Sequence, residues 1–328
     1  MKEITYAQAI CEAIDEEMAR DPSVLLLGED VAFIGGNFKT SVGLYEKYGG
    51  LRVKDTPICE FSFTDMAVGM AMTGLRPIVE YMFADFLLVA ADAVYNQVAK
   101  IRYMSGGQTK VPVVIRAPIG AGRSSAAQHS QSMQAISAHF PGIKVVFPST
   151  ATEAKGLLKT AIRDDDPVLF FEHKMEYNKK YMIPDVVDPI PFGKARIARE
   201  GKDLTIVATS ALVMKSEEAA ESLEKEGISV EIIDPRTLVP FDRETVVESV
   251  RKTGKLLIAD ESYERCGVAA GIAMELMDDI FFYLDAPVAG VSTPNVPLPF
   301  SPALEFPIIP STKRIYEKAK ELVTVQGA

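Results

Sequence analysis

From Val24 onward, short apolar runs ending in polar or turn residues alternate with longer stretches of helical spacing, the signature of repeated strand and crossover-helix units. The strand candidates are VLLLGED (24–30), RVKDTPI (52–58), RPIVEYMF (76–83), VPVVIRAP (111–118), KVVFPS (144–149) and PVLFFEH (167–173). A mainly parallel sheet is expected, with helices in the gaps. Ser62 with Asp65 and Thr150 with Glu153 read as capping boxes that start two of those helices. Residues 86–104 read as one long helix, stopped by Gly106 and Gly107. The alternation breaks in a proline-bearing stretch with no sustained period, so residues 179–192 are expected to link a domain spanning 1–178 to one spanning 193–328. In the second domain DLTIVATS (203–210), SVEIIDPRT (229–237), KLLIADES (255–262) and PVAGVSTP (287–294) read as strands. The fold class is α/β with two modules.

A length of 328 residues agrees with two domains rather than one core. A composition of 48% hydrophobic and 24% charged residues is that of a globular protein and excludes a disordered or collagen-like chain. The formal net charge of -10 would repel a phosphate backbone, so nucleic acid is not expected as a partner, while a basic protein is. Cys11, Cys59 and Cys266 lie far apart, with no metal-ligand spacing, and point to a reduced, cytoplasmic compartment. The amino terminus turns acidic before any apolar run of signal-peptide length. The 86–104 stretch carries Asp92, Asn96, Lys100 and Arg102, too polar to cross a bilayer, so no membrane association is expected.

In open parallel sheets, ligands bind beyond the carboxyl ends of the strands. Three such places hold polar groups: Glu29 and Asp30, Glu60, and the AAQHSQ segment around His129. Taken singly, each is also explained as a helix-capping, surface or loop-ordering residue. The chain has no G-x-G-x-x-G after a strand, no G-x-x-x-x-G-K-[ST] loop, no G-x-S-x-G elbow and no H-E-x-x-H helix, which removes the main support for dinucleotide, nucleoside triphosphate, serine hydrolase and zincin readings. The Gly267 and Gly271 spacing is read as close helix packing.

GEDVA (28–32), DTPICE (55–60), GLRPIVEYMFADF (74–86), RYMSGG (102–107), AAQHSQS (126–132), PGIKVVFPST (141–150), EAKGLLKTAIRDDDPVLFFEHK (153–174) and IDPRTLVPFD (233–242) together resemble the beta subunit of a thiamine-diphosphate-dependent 2-oxo acid dehydrogenase first component, of pyruvate, acetoin or branched-chain type. The resemblance runs through nearly the whole chain in order. It implies two transketolase-like modules, an N-terminal parallel-sheet module that binds the pyrimidine of the cofactor and a C-terminal mixed-sheet module. It also implies an alpha subunit, in an alpha2-beta2 heterotetramer, that holds magnesium and the diphosphate through a G-D-G motif absent from this sequence. A lipoyl-bearing acyltransferase core, docking through its subunit-binding domain, is the implied further partner and acyl acceptor.

The same resemblance assigns residues. Glu60 matches the glutamate that hydrogen-bonds the pyrimidine nitrogen and so favours the tautomer whose amino group takes the thiazolium carbon proton. Phe86 matches the ring-packing aromatic, with Met82 as a soft wall. His129 matches the active-site histidine of an A-x-H-S motif, and Glu29 an acid near the cofactor. The main-chain potassium site of some members carries over to Val113, Ala161, Ile162, Asp164 and Asp166, where Asp166 departs from the Asn of pyruvate-type members. Pyruvate or acetoin ranks above branched-chain substrates. A transketolase-like subunit and a non-catalytic assembly subunit are the alternatives.

Overall fold

The computed structural model describes residues 1–324. They fall into two compact units, one made of Met1–Ile119 with Ile136–Phe192, the other of Gly120–Ala135 with the residues from Gly193 on. Up to residue 192 the elements are β1 (Lys2–Thr5), α1 (Tyr6–Arg20), β2 (Val24–Gly28), α2 (Leu44–Tyr48), β3 (Val53–Asp55), α3 (Glu60–Met72), β4 (Arg76–Glu80), α4 (Ile101–Met104), β5 (Val114–Ile119), α5 (Gln134–His139), β6 (Lys144–Val146), α6 (Ala151–Arg163), β7 (Val168–His173) and β8 (Lys180–Ile183).

In the first unit the strands run in the order β6-β7-β5-β4-β2-β3, and every neighbouring pair is parallel. Helices cover such sheets on both faces, which is why β2, β5 and β7 are buried along their whole length and read as unbroken apolar runs. Helix α1 buries Tyr6, Ala9, Ile10, Ala13, Ile14 and Met18 at helical spacing and starts in a capping box between Thr5 and Gln8. Helix α6 starts, as its sequence predicts, with Thr150 accepting from the Glu153 N–H. The two helices are laced by ion pairs from buried Lys155 to Glu12 and Glu16, and from Arg163 to buried Glu17.

Three local expectations change. Helix α3 begins at Glu60 behind Cys59, so Ser62 lies inside its first turn rather than capping it. The expected long helix is broken into a 3-10 turn (Ala84–Leu88), a π-helical turn (Ala93–Val98) and α4. Contacts remote in sequence decide this: the Tyr95 ring stacks on Phe140 at 4.2 Å and its hydroxyl pairs with Ser137 Oγ at 3.0 Å. Within the stretch expected as linker, β8 pairs antiparallel with β1, from Lys2 opposite Ile183 to Thr5 opposite Lys180. Gly106 and Gly107, both at positive φ, do end the helical region.

The second unit holds β9 (Arg196–Arg199), β10 (Leu204–Ala208), α7 (Leu212–Glu224), β11 (Val230–Asp234), β12 (Thr237–Val239), α8 (Arg243–Thr253), β13 (Leu256–Tyr263), α9 (Val268–Ile280), β14 (Ala289–Thr293), α10 (Pro302–Ile308) and α11 (Thr312–Thr324). Its sheet has the order β14-β13-β10-β11-β9. The first four strands are parallel and β9 is antiparallel, so the sheet is mixed. Ile206, Ile232 and Leu257 face a core closed by residues of α7 and α11, while Val207, Ile233 and Ile258 face one closed by α8 and α9. Among the described residues no helix is long and apolar enough to cross a membrane.

Candidate active site

The carboxyl edge of the first sheet is built by register. Gly28, the last residue of β2, pairs with Asp55 of β3 on one side and Glu80 of β4 on the other. The segments that carry Glu29, Glu60 and 81–86 therefore leave the sheet side by side. A Cβ on Gly28 would lie 2.4 Å from the Glu80 carbonyl oxygen, so the close approach of β2 to β4 at this end needs glycine. Past the strand, Asp30 turns the chain at φ 58°, the Ala32 N–H donates to Asp55 Oδ1 at 2.7 Å, and the Thr56 N–H donates to the Gly28 carbonyl at 2.9 Å. These bonds fix the direction in which Glu29 leaves β2.

Glu29 and Glu60 are both buried, each 4% exposed. Among the described residues Glu29 Oε1 has no hydrogen-bond partner. Burial first, then the charges of Glu60 and Asp30, push the Glu29 carboxyl up to about 7. Glu60 is the first residue of α3, where the unpaired N–H groups and the helix dipole favour negative charge. One acid is thus held near its titration point beside another placed where an anion is favoured. Behind them the Tyr81 phenol shares a 2.5 Å hydrogen bond with Thr64 Oγ1, and burial, reinforced by Glu60, pushes its pKa up.

Met82 and Phe86 are half-buried in the same stretch after β4. Phe86 stands edge-on to Phe83 at 6.1 Å, and Phe83 is edge-on to Phe38 at 6.1 Å and lies under the Lys174 ammonium at 5.1 Å. This is an apolar wall with aromatic faces of defined orientation. His129 is half-buried in Gly120–Ala135, the segment grouped with the second unit. The structure thus brings Glu29, Glu60, Met82 and Phe86 onto one edge of the first unit and sets His129 on the second.

The residues expected to hold potassium are occupied otherwise. The Arg76 guanidinium donates to the carbonyl of Ile162 at 2.8 Å and to that of Asp164. Val113 O takes the Val168 N–H at 2.9 Å, and Ala161 O takes the Asp164 N–H at 3.3 Å. Asp166 pairs through its carboxylate with Arg102 and Lys144. The cation that the Ile162 and Asp164 carbonyls meet is the Arg76 side chain of the same protein, and a second positive charge beside it would be repelled, so these two carbonyls do not fit a potassium ion.

Sequence reasoning passed over a second set of acids on this sheet. Arg116, in the middle of β5, is fully buried and binds Glu172 of β7 bidentately at 2.7 and 2.8 Å and Glu80 of β4 at 2.6 Å. Thr40 Oγ1 donates to Glu80 at 3.0 Å and the Tyr177 hydroxyl to Glu172 at 2.8 Å. The available signal was three charged residues, Glu80, Arg116 and Glu172, inside runs that otherwise read as buried strands.

Comparison with known proteins identifies the class. Residues 2–180 match the family model of the transketolase pyrimidine binding domain, and residues 193–315 match that of the transketolase C-terminal domain. A split-gene transketolase, described as an inactive beta4 tetramer, superposes with a TM-score of 0.80 at 26% identity, over 98% of this chain and 99% of the other. The particular branch follows from curated relatives. The pyruvate dehydrogenase E1 component subunit beta of Rickettsia felis is 47% identical over 98% of each chain. The acetoin:2,6-dichlorophenolindophenol oxidoreductase subunit beta of Cupriavidus necator is 46% identical over 99% of this chain and 98% of its own. The chain belongs to the family of transketolase-like beta subunits of 2-oxo acid dehydrogenase first components.

Proposed function

We propose that the chain works as the beta half of a cytoplasmic thiamine-diphosphate enzyme that cleaves pyruvate or acetoin and passes the acyl group to a lipoyl arm of an acyltransferase core. In this reading an alpha subunit completes the site in an alpha2-beta2 assembly and holds the diphosphate and magnesium. The observation that carries it is the buried pair of acids at the carboxyl edge of the first sheet, Glu29 with an orphaned oxygen and Glu60 at a helix N-terminus, in a chain of this family. Buried acids without a cation are costly, and a ligand that offers a hydrogen-bond donor and an apolar ring fits them better than a closed core does. Phe86 and Met82 give that ring its wall.

Thiamine diphosphate, when bound, supplies the nucleophilic carbon. Glu60 would hold the pyrimidine through a hydrogen bond to its ring nitrogen. Glu29, titrating near neutrality, takes up or returns a proton beside it. The His129 imidazole stabilises charge or moves a proton during acyl transfer. The test is Glu60→Gln in the chain coexpressed with its alpha subunit. Turnover is expected to fall about 10²- to 10⁴-fold, the range for loss of a positioned proton-transfer group, with the unfolding midpoint of the chain unchanged. Wild-type turnover in that variant would overturn the reading.

A further inference from the structure

The arch that carries His129 is held in shape by acids from other elements of its own unit. Four of its residues have positive φ: Gly120 at 96°, Gly122 at 97°, Ser124 at 53° and Ala126 at 62°. For Ser124 and Ala126 this is a disfavoured conformation that persists only where the surroundings impose it. Here they do. Glu305 of α10, fully buried, accepts the Gly122 N–H on Oε1 at 2.9 Å and the Ser124 N–H and hydroxyl on Oε2 at 2.9 and 3.3 Å. Glu261 of β13 accepts the Ala121 N–H at 2.5 Å. At the other foot of the arch, Gln134 Nε2 donates to Asp260 Oδ2 at 3.1 Å. Between the feet the Gly120 N–H reaches the Gln131 carbonyl at 3.4 Å, and Ala121 packs against Leu298 and Ile309.

A carboxylate is the group this arrangement requires. Both Glu305 oxygens face N–H donors, and an anion turned toward successive backbone amides is bound by all of them at once. A carboxamide would set its own N–H₂ against one of the backbone N–H groups. We infer that Glu305, assisted by Glu261, is a positioning residue that fixes the backbone of the 120–126 turn and through it the place of the His129 imidazole. The inference rests on the acyl-transfer role proposed for His129.

The experiment uses the chain assembled with its alpha subunit and supplied with thiamine diphosphate, in two assays: substrate-dependent reduction of 2,6-dichlorophenolindophenol, which needs no lipoyl group, and reductive acylation of a free lipoyl domain. Four proteins are compared with wild type: H129N, E305Q, E261Q and the double variant H129N/E305Q. Glu305→Gln is expected to lower kcat/KM for the lipoyl domain by roughly tenfold or more, as for loss of a charged hydrogen bond, with dye reduction within about twofold of wild type. It should also speed amide exchange at residues 121–124. On the H129N background it should lower acylation no further, because it acts through that side chain. Wild-type acylation in E305Q while H129N is impaired would overturn the positioning role, as would full additivity in the double variant or an equal fall in both assays. Undiminished acylation in H129N would overturn the underlying assignment of His129 itself. Should E305Q fail to assemble, E261Q, which frees only the Ala121 N–H, decides by the same pattern.

Discussion

Two groups of buried carboxylates lie along one parallel sheet, and they are held in opposite ways. Glu80 and Glu172 close on the Arg116 guanidinium, and Thr40 and Tyr177 donate to what remains. Among the described residues Glu29 and Glu60 have no such cation, and Glu29 keeps an oxygen with no partner. Burial drives both Glu29 and Glu80 upward, but at Glu80 the charge of Arg116 opposes it, whereas at Glu29 the neighbouring charges of Glu60 and Asp30 add to it. Burial alone therefore does not separate an acid that holds the fold from one ready to change protonation. The counter-charge does.

Arg116→Met breaks the comparison most severely. It leaves two buried carboxylates without their cation, and the urea unfolding free energy of the chain should fall by about 3–5 kcal/mol. A loss below about 1 kcal/mol would mean that the network does not hold the sheet together. The pair without a cation should show itself through pH instead. With Glu29 at about 7 in the folded chain against an ordinary 4.5, the folded state binds the extra proton between those values. Stability from this group is therefore full below about 4.5, falls as pH rises toward 7 and is flat above. The swing is at most about 3 kcal/mol. Glu29→Gln should remove it, so that the variant is more stable than wild type at pH 8 and differs least at pH 5 in urea titrations; identical pH profiles would show that Glu29 ionises normally. Tyr177→Phe sharpens the picture at the small end. It deletes one donor to Glu172 while the Arg116 fork stays, for an expected cost of about 1.5 kcal/mol by the same measurement. A cost as large as that of Arg116→Met would move the centre of the network to the phenol.

Part of this was legible in residues. Runs such as VLLLG and VLFFEH announce strands covered on both faces, and Thr150 with Glu153 announces the start of α6. The family resemblance singled out Glu29 and Glu60, at the end of a strand and the start of a helix. The Arg116 network was hidden because each member looks like a stray charge in its own strand. Only the register that sets Glu80 opposite Arg116 and Glu172 opposite Pro118 brings them together. The broken helix at 84–104 and the clamp of Glu305 on residues 122 and 124 are of the same kind, since the deciding contacts come from residues 42 or more positions away.

What the sequence by itself determined is the order of the longer buried strands and of helices such as α6, because apolar period, caps and glycine stops act over a few residues and are written locally. What only the tertiary structure decided is which charges meet. Parallel strands joined by crossover helices place residues dozens of positions apart at adjacent points of one edge, and whether a buried acid there finds a cation, a backbone amide or no partner sets its proton affinity.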